Sequence, residues 1–205
     1  MSLGTIRTNP DSHSNVVNSR DGAPTVAVIK TKPATVVADV GSVMRLAGYK
    51  SQLAPDVGTL LKINISWQHY YPACSTSPWQ LDGVIKTLKE DGFEDLIPTH
   101  NGTVVVDARE GEVNNKHDVV VRRHGLESVH LEDVEWVPLH FSDDFLVLNQ
   151  IYPDGINIPK FLIDKNVIHL PTMKTHVFTT ITGAMKNAFG GLLNFQRHWT
   201  HSVIH

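Results

Sequence analysis

The chain has 205 residues, of which 41% are hydrophobic and 19% are charged, a composition typical of a soluble globular protein with one large domain. Its one cysteine, Cys74, excludes an internal disulfide framework and an iron–sulfur cluster held by this chain alone, and it favours a cytoplasmic location. No apolar run reaches the roughly 18 residues of a membrane span, so we expect no membrane partner.

Charge is distributed unevenly along the chain, although the net charge is only −3. Residues 1–159 contain 13 lysines and arginines against 20 acids, whereas residues 160–205 contain five basic residues and one acid, Asp164. This excess predicts that the C-terminal segment faces a negatively charged ligand or partner; the alternative is a solvated basic helix face. Nucleic acid is not expected as a partner, because the acidic chain lacks a broad basic surface.

The first residues are polar and show no hydrophobic periodicity. We therefore predict a disordered or loosely docked arm over residues 1–23 and an α/β domain over residues 24–205. Within the domain, β-branched and apolar runs predict strands at 25–30, 59–65, 95–98, 134–139, 145–149 and 166–171. Apolar residues at helical spacing predict helices at 36–48, 77–92 and 182–196, and a strand or turn leading into a helix within 103–125.

Strands and helices alternate along this domain. The order predicts an α/β fold with a mostly parallel sheet and helices on both faces, a Rossmann-like three-layer arrangement. Ligands of such folds bind beyond the carboxyl ends of the strands. Residues that follow predicted strands are therefore the first candidates for a binding site.

The most informative stretch follows the last predicted strand. Lys174, Thr175 and His176 lie in its predicted exit loop and offer an ammonium, a hydroxyl and an imidazole. Thr182 can cap the next helix, whose N-terminal amide groups attract anions. The segment therefore predicts an anion site.

The predicted helix that follows has two different sides. Glycine costs a helix about 1 kcal/mol relative to alanine, so several glycines near one lysine indicate close approach of a ligand or a strand. By helical spacing, one side carries Gly183, Lys186 and Gly190, and the predicted packing side carries Met185, Phe189 and Leu192.

Common nucleotide and hydrolase motifs are not found. The sequence contains no G-x-x-x-x-G-K-[ST] loop, no G-x-G-x-x-G fingerprint and no G-x-S-x-G elbow. Cys74 lies in a predicted loop without a local sign of activation. Neither a nucleotide ligand nor a serine or cysteine hydrolase is indicated by motif.

The C-terminal motifs resemble the prokaryotic Domain of Unknown Function 362 family, which has a K-T-H followed by T-G-x-x-K-N-x-x-G. The resemblance spans residues 24–205, and the motif is intact here as Lys174, Thr175, His176, Thr182, Gly183, Lys186, Asn187 and Gly190. The family's K-P-N strand motif is replaced by Lys62-Ile63-Asn64. The resemblance implies a ligand or cofactor site that includes Lys62, Asn64 and Asn187. Family members commonly continue with another α/β segment and with ferredoxin-like iron–sulfur modules, which implies a truncated form of a larger fold and a ferredoxin-like partner.

A more distant resemblance is to the N-terminal domain of the nickel-dependent lactate racemases, which have a histidine followed ten residues later by a lysine. His176 and Lys186 have this separation, and His201 follows, although "TGAMKNAFGG" departs from the racemases' glycine pattern. The resemblance implies catalytic roles for Lys186 and His176, a nickel-containing nucleotide cofactor, and metal binding by His176 and His201. His100, which follows a predicted strand, is a further metal-ligand candidate. We expect His169, inside a strand, to be a core residue.

Two hypotheses for function follow. The first is an anionic ligand or cofactor site around the K-T-H and T-G-A-M-K-N motifs, in a metal- or cofactor-dependent enzyme. The second is a non-catalytic module that docks a redox or other acidic partner through its basic C-terminal segment. The sequence does not decide whether the protein is an enzyme.

Overall fold

The protein is represented by a computed structural model that describes residues 6–8, 14–17, 26–102, 106–139, 147–194 and 197–203. The described strands are β1 (Ile6–Thr8), β2 (Ser14–Val17), β3 (Val26–Ile29), β4 (Thr59–Ile63), β5 (Leu96–His100), β6 (Val129–His130), β7 (Trp136–Leu139), β8 (Ile156–Pro159), β9 (Asn166–Leu170), β10 (Lys174–His176) and β11 (Thr180–Thr182). The α-helices are α1 (Val36–Leu46), α2 (Pro78–Glu90), α3 (Ala108–Asn114), α4 (His117–Arg123), α5 (Leu148–Ile151) and α6 (Ala184–Leu192).

A four-stranded parallel sheet with the order β6-β5-β4-β9 forms the centre of the molecule. All five residues of β4 are buried, as expected for a strand of a parallel sheet that is covered on both faces. Antiparallel strands lie outside this sheet: the three-stranded sheet β1-β2-β3, the pair β7-β8 and the hairpin β10-β11. The sheet aligns the carboxyl ends of its strands along one edge.

One face of the sheet carries the hydrophobic core. Leu61 and Ile63 of β4 pack with apolar residues of α2 and α4 in one buried cluster. Helix α1 packs on α2, where Gly83 allows close approach: an added Cβ there would lie 2.8 Å from the carbonyl oxygen of Val37. Helix α2 begins as predicted, with Ser77 at the N-cap and Pro78 in its first turn.

The other face of the sheet is covered by α6, which contacts β9. Side chains alternate along a strand, so Lys62 points away from the Leu61 and Ile63 face, and Gly191 of α6 lies against it. Helices therefore cover both faces, and the predicted α/β fold with a mostly parallel sheet is confirmed.

Several predicted elements differ from the structure. The strand predicted at 25–30 has the composition of a buried strand, but β3 pairs with β2 outside the central sheet and leaves Val26 54% exposed. The strand prediction for 145–149 is wrong at its described end, since Leu148–Ile151 is helical. The helix within 103–125 is two helices, separated by Lys116 with a φ of 66°. The predicted exit loop after β9 contains the hairpin β10–β11, because residues 174–176 pair with 180–182.

Much of the N-terminal arm lies outside the described residues. In its described part, β1 pairs with β2, and β2 pairs with β3. The division into an arm over 1–23 and a domain over 24–205 stays a prediction. Across the ranges that the structure describes, no helix is long and apolar enough to cross a membrane.

The contact of α1 with α2 makes Gly83 a test of this packing. We expect Gly83→Ala to lower the free energy of unfolding by about 1–3 kcal/mol, because the added methyl overlaps a backbone carbonyl that cannot move freely. This loss outweighs the gain in helix propensity, about 1 kcal/mol. Urea denaturation measures it, with Lys86→Ala on the exposed side of α2 as the control. A Gly83→Ala protein as stable as the control would contradict this packing.

Candidate functional site

Positively charged side chains collect on the α6 face of the sheet. We call the group formed by Lys62, Lys174, His176, Lys186, Arg197 and His201 the cationic cluster. Their charges act on one another: Arg197 lowers the pKa of both Lys62 and Lys186, and Lys186 lowers the pKa of Lys174 and His176. The sequence prediction included all of these residues except Arg197.

Lys62 is the most deeply buried member, with 2% of its surface exposed. Its Nζ donates a hydrogen bond to the carbonyl oxygen of Ile63 at 2.9 Å. Burial, together with the charge of Arg197 and against the opposing effect of Glu132, lowers the pKa of Lys62 to about 7. At neutral pH, a lysine with this pKa is present in both its charged and its neutral form.

Helix α6 is fixed over Lys62 by amide hydrogen bonds. The buried Asn187 donates from Nδ2 to the carbonyl oxygen of Lys62 at 3.0 Å and lies 3.4 Å from Nδ1 of His169. Asn101, at the end of β5, donates to the carbonyl oxygen of Gly190 at 3.1 Å. Burial and the charge of Lys62 lower the pKa of His169 to about 4, so this ring is neutral. His169 is only half-buried, and it lies beside the site and not in the apolar core.

The two family motifs meet through Lys174 and Asn64. Lys174 donates from Nζ to Oδ1 of Asn64 at 2.9 Å, and Ser66 donates to the same oxygen at 3.0 Å. Burial lowers the pKa of Lys174, and Lys186 adds to this effect while Cys74 opposes it. The structure thus brings the residue that follows β4 into contact with the first residue of β10.

His176 and His201 are stacked, with ring centroids 5.6 Å apart and an interplanar angle of 20°. Nδ1 of His176 accepts hydrogen bonds from the backbone N–H groups of Phe178 at 3.2 Å and Thr179 at 3.3 Å. In a neutral ring the proton is then on Nε2, which makes His176 a hydrogen-bond donor toward the cluster. Burial and the charges of Lys186, His201 and Lys174 lower its pKa.

The remaining predicted residues have varied positions. Thr175 is exposed, and Gly190 has open space where a side chain would begin. Thr182 is buried, and its hydroxyl has no hydrogen-bond partner among the described residues. The prediction that Thr182 caps the helix is wrong, because the N-cap position of α6 is occupied by Gly183.

The prediction of the packing side of α6 is also wrong at Met185, which is 88% exposed. The buried residues of α6 are instead Asn187 and Gly191. The reason is that α6 lies on the ammonium group and backbone at the end of β4, where a small residue and an amide fit better than an apolar side chain. Arg197 and Asn101 were missed, without a signal in the sequence. The glycines of this helix were expected to allow close approach of a strand or ligand, and Gly191 does so against Lys62.

A second polar group, the histidine–glutamate cluster, consists of His100, Glu112 and His130. Nε2 of His100 lies 3.1 Å and Nε2 of His130 lies 3.6 Å from Oε2 of Glu112. Burial alone would raise the pKa of Glu112, but hydrogen bonds from His100 and Ser128 outweigh it and hold the pKa at about 2. Burial and the charges of His100 and Arg109 lower the pKa of His130.

The structure does not bring His100 together with His176 and His201. Within the described ranges, the one group of three residues with metal-ligand geometry is His100, Glu112 and His130. His100 lies on β5 one residue after Thr99, which is the register partner of Lys62, and so it faces away from the cationic cluster. Metal binding by His176 and His201 stays a prediction.

Two cavities lie apart from the lysines of the cationic cluster. A cavity of about 300 Å³ lies beside Trp79 at the start of α2, and one of about 680 Å³ is bounded by Tyr152, Asn194 and Trp199. Neither is lined by a lysine of the cluster. The larger cavity adjoins the segment that carries Arg197.

The fold and these sites define an α/β protein with basic side chains grouped near the carboxyl ends of its parallel strands. The chain belongs to the family described as Domain of unknown function (DUF362), whose family model matches residues 59–205. This match confirms the resemblance expected from the K-T-H and T-G-x-x-K-N-x-x-G motifs. No curated protein and no solved structure matches the chain. The link to lactate racemases and the link to iron–sulfur modules stay predictions.

Neighbouring glycines in α6 test the contact with Lys62. A Cβ at Gly191 would overlap Cε of Lys62, whereas a Cβ at Gly190 would meet nothing within 4 Å. We expect Gly191→Ala to lower the free energy of unfolding by about 1–3 kcal/mol, because Lys62 is enclosed. Gly190→Ala should leave it unchanged or raise it by up to about 1 kcal/mol. Urea denaturation of the two variants measures the difference, and equal stabilities would argue against the described position of α6.

The pKa of Lys62 predicts a pH dependence of stability. Its pKa is about 7 in the folded protein, against an ordinary value of 10.5 for a lysine in water, so between these values the unfolded chain binds a proton that the folded chain does not. Stability contributed by Lys62 therefore rises with pH across this window, by up to about 1.4 kcal/mol per pH unit. Below pH 7 both states are protonated, and the cost of burying the charge is fully present.

We expect Lys62→Met to remove this rise, so that its stability curve between pH 7 and 10 is flatter than that of the unmodified chain. Lys160→Met is the control, since Lys160 is exposed and paired with Glu135. Urea denaturation over the pH series measures the slopes. Parallel curves for Lys62→Met and the unmodified chain would contradict the lowered pKa.

Proposed function

We propose that the protein binds a small anionic ligand, a carboxylate or a phosphate, at the cationic cluster. The observation that carries the proposal is a chain of like charges: Lys186 acts on Lys174, and Arg197 acts on both Lys62 and Lys186. Among the residues that the structure describes, none of these three lysines has a carboxylate at ion-pair distance. Because the free cysteine Cys74 fits a reducing compartment, we expect this function to be carried out in the cytoplasm.

Grouping cations in this way is costly unless an opposite charge is present. Lys62 is fully removed from water and Lys186 is half-buried, and each loses hydration that only another interaction can replace. Arg197 repels both. A bound anion would supply the missing charge, raise these pKa values and accept hydrogen bonds from Nζ of Lys186 and Nε2 of His176.

The same arrangement supports an enzyme that acts on its anionic ligand. Burial and Arg197 lower the pKa of Lys186, and a lysine with a lowered pKa is a better nucleophile toward a carbonyl group. His176 has a ring oriented by two backbone N–H groups and is suited to proton transfer. On this proposal Lys186 and His176 are catalytic, Asn64 and Lys174 contact the ligand, and the buried Lys62 and Asn187 support the site from beneath.

The nickel-containing nucleotide implied by the racemase resemblance is supported only in part. Its phosphate matches the cations of the cluster. Its metal does not gain the same support, because among the described residues no third ligand joins His176 and His201. No step of the proposal passes through this cofactor.

Partner docking is a second candidate, and one observation favours it. The hairpin β10–β11 and the start of α6 expose apolar side chains beside the lysines, among them Met173 at 73%, Val177 at 87% and Met185 at 88%. An acidic protein with an apolar contact surface, such as a ferredoxin-like partner, would fit this combination.

Ligand binding is tested by calorimetric titration and thermal unfolding with inorganic phosphate, pyruvate and lactate. We expect at least one of them to bind with an affinity that falls as salt rises. Lys186→Gln should weaken this binding about tenfold or more, because a hydrogen bond to a charged group contributes about 1.5–3 kcal/mol. Lys160→Gln removes an exposed lysine paired with Glu135 and should bind as the unmodified chain does.

Covalent chemistry at Lys186 is tested by borohydride reduction in the presence of pyruvate, followed by mass spectrometry. An adduct on Lys186 that is lost in Lys186→Gln would support the enzyme. Equal binding by Lys186→Gln and Lys160→Gln, or no binding of any probe, would refute the anion site. If the chain instead binds a ferredoxin and no small anion, the docking function replaces it.

A further inference from the structure

The histidine–glutamate cluster lies on the face of the sheet opposite the cationic cluster. We propose that His100, Glu112 and His130 bind one divalent transition metal ion, with zinc as the best fit. The inference is independent of the proposed anion site, because Lys62 and His100 point to opposite faces of neighbouring strands.

The spacing of the three side chains suits a metal ion. One ligand atom from each residue lies within 4.8 Å of the other two. Nε2 of His100 lies 3.1 Å and Nε2 of His130 lies 3.6 Å from Oε2 of Glu112, and these two separations bracket that expected for a tetrahedral ion. With zinc about 2.0–2.2 Å from each nitrogen and oxygen, tetrahedral geometry separates the ligand atoms by about 3.4 Å.

The fold holds these ligands in place from three elements. His100 and His130 are the last residues of the neighbouring strands β5 and β6, where they are register partners. Their rings lie 4.4 Å apart between centroids at an angle of 90°. Glu112 comes from α3, and Ser128 donates a hydrogen bond to its other oxygen, Oε1, which leaves Oε2 turned toward the imidazoles.

Hydrogen bonding within the cluster does not account for both histidines. Nε2 of His100 has one hydrogen-bond partner, Oε2 of Glu112 at 3.1 Å. Nε2 of His130 is directed at the same oxygen from 3.6 Å, too far for a hydrogen bond. A metal ion bound at Nε2 would give the imidazole of His130 a bond that the described residues do not supply.

The donor set also indicates which metal binds. Two imidazole nitrogens and one carboxylate oxygen suit zinc and related transition metals, whereas calcium and magnesium prefer oxygen ligands throughout. A site with three protein ligands leaves a further position for water or a small ligand, as in zinc sites that act in catalysis. The side chains of Glu112 and His130 are 10% and 15% exposed, so water can reach this position.

The site is tested by titrating the chelator-treated full chain with Co²⁺ and then with Zn²⁺. We expect Co²⁺ to give the visible absorption of a four-coordinate ion that saturates at one equivalent, and Zn²⁺ to displace it and to raise the melting temperature. His130→Ala and Glu112→Gln should each weaken binding more than about 100-fold. Ser128→Ala removes only the neighbouring hydrogen bond and should cost about tenfold, the range of an outer-shell change.

His124 provides a matched control. It is a similarly buried histidine, 17% exposed, and its Nε2 lies 2.6 Å from Oδ1 of Asp82. His124→Ala should bind Co²⁺ with unchanged affinity and spectrum. No saturable Co²⁺ absorption in the unmodified chain, or equal affinity in His124→Ala, Glu112→Gln and His130→Ala, would overturn the proposal. If His130→Ala does not fold, the spectrum of the unmodified chain and the affinity of Glu112→Gln decide.

Discussion

The burial of Lys62 inside the central strand of a parallel sheet constrains much of the surrounding structure. Its side chain extends between β4 and α6, and its ammonium group reaches the carbonyl oxygen of Ile63. Gly191 is required where a methyl group would collide with Lys62, and Asn187 holds the helix to the backbone of the same residue. A charged group in this position stabilises nothing by itself, since burying it costs free energy. A bound anion, as in the proposed function, would offset this cost.

The sheet separates the cationic cluster from the histidine–glutamate cluster, with one cluster on each face near the same edge. On the α6 face, lysines and histidines repel one another and lower one another's pKa values, which favours an anion as the missing partner. On the face covered by α2, α3 and α4, two imidazoles and a carboxylate converge from His100, His130 and Glu112, which favours a cation. Alternation of side chains along β4 and β5 is sufficient to separate the two groups, although both lie where parallel strands end.

Much of the fold was predictable because local signals agreed with the tertiary structure. Ser77 and Pro78 mark the start of α2, Gly48 follows α1 with a φ of 74°, and the strand at 166–170 ends before Pro171. The predictions fail where burial in the tertiary structure determines the position of a residue. The valines of β3 have the pattern of a buried strand but form an antiparallel pair outside the central sheet, and Met185 has the spacing of a core residue but faces solvent. Periodicity identifies a helix or a strand, but it does not say which surface covers it.

The sequence by itself determined the family, through motifs whose residue types and spacing are intact, and the α/β class, through the alternation of its elements. It also singled out Lys174, His176 and Lys186, which follow a strand and border a glycine-rich helix, and it singled out Lys62 through the family's strand motif. Only the tertiary structure decided that Lys62 is buried beneath Gly191, that Arg197 acts on the same lysines, and that His100 belongs with Glu112 and His130. The physical reason is that burial and proximity arise from chain segments far apart in sequence, and pKa values depend on both.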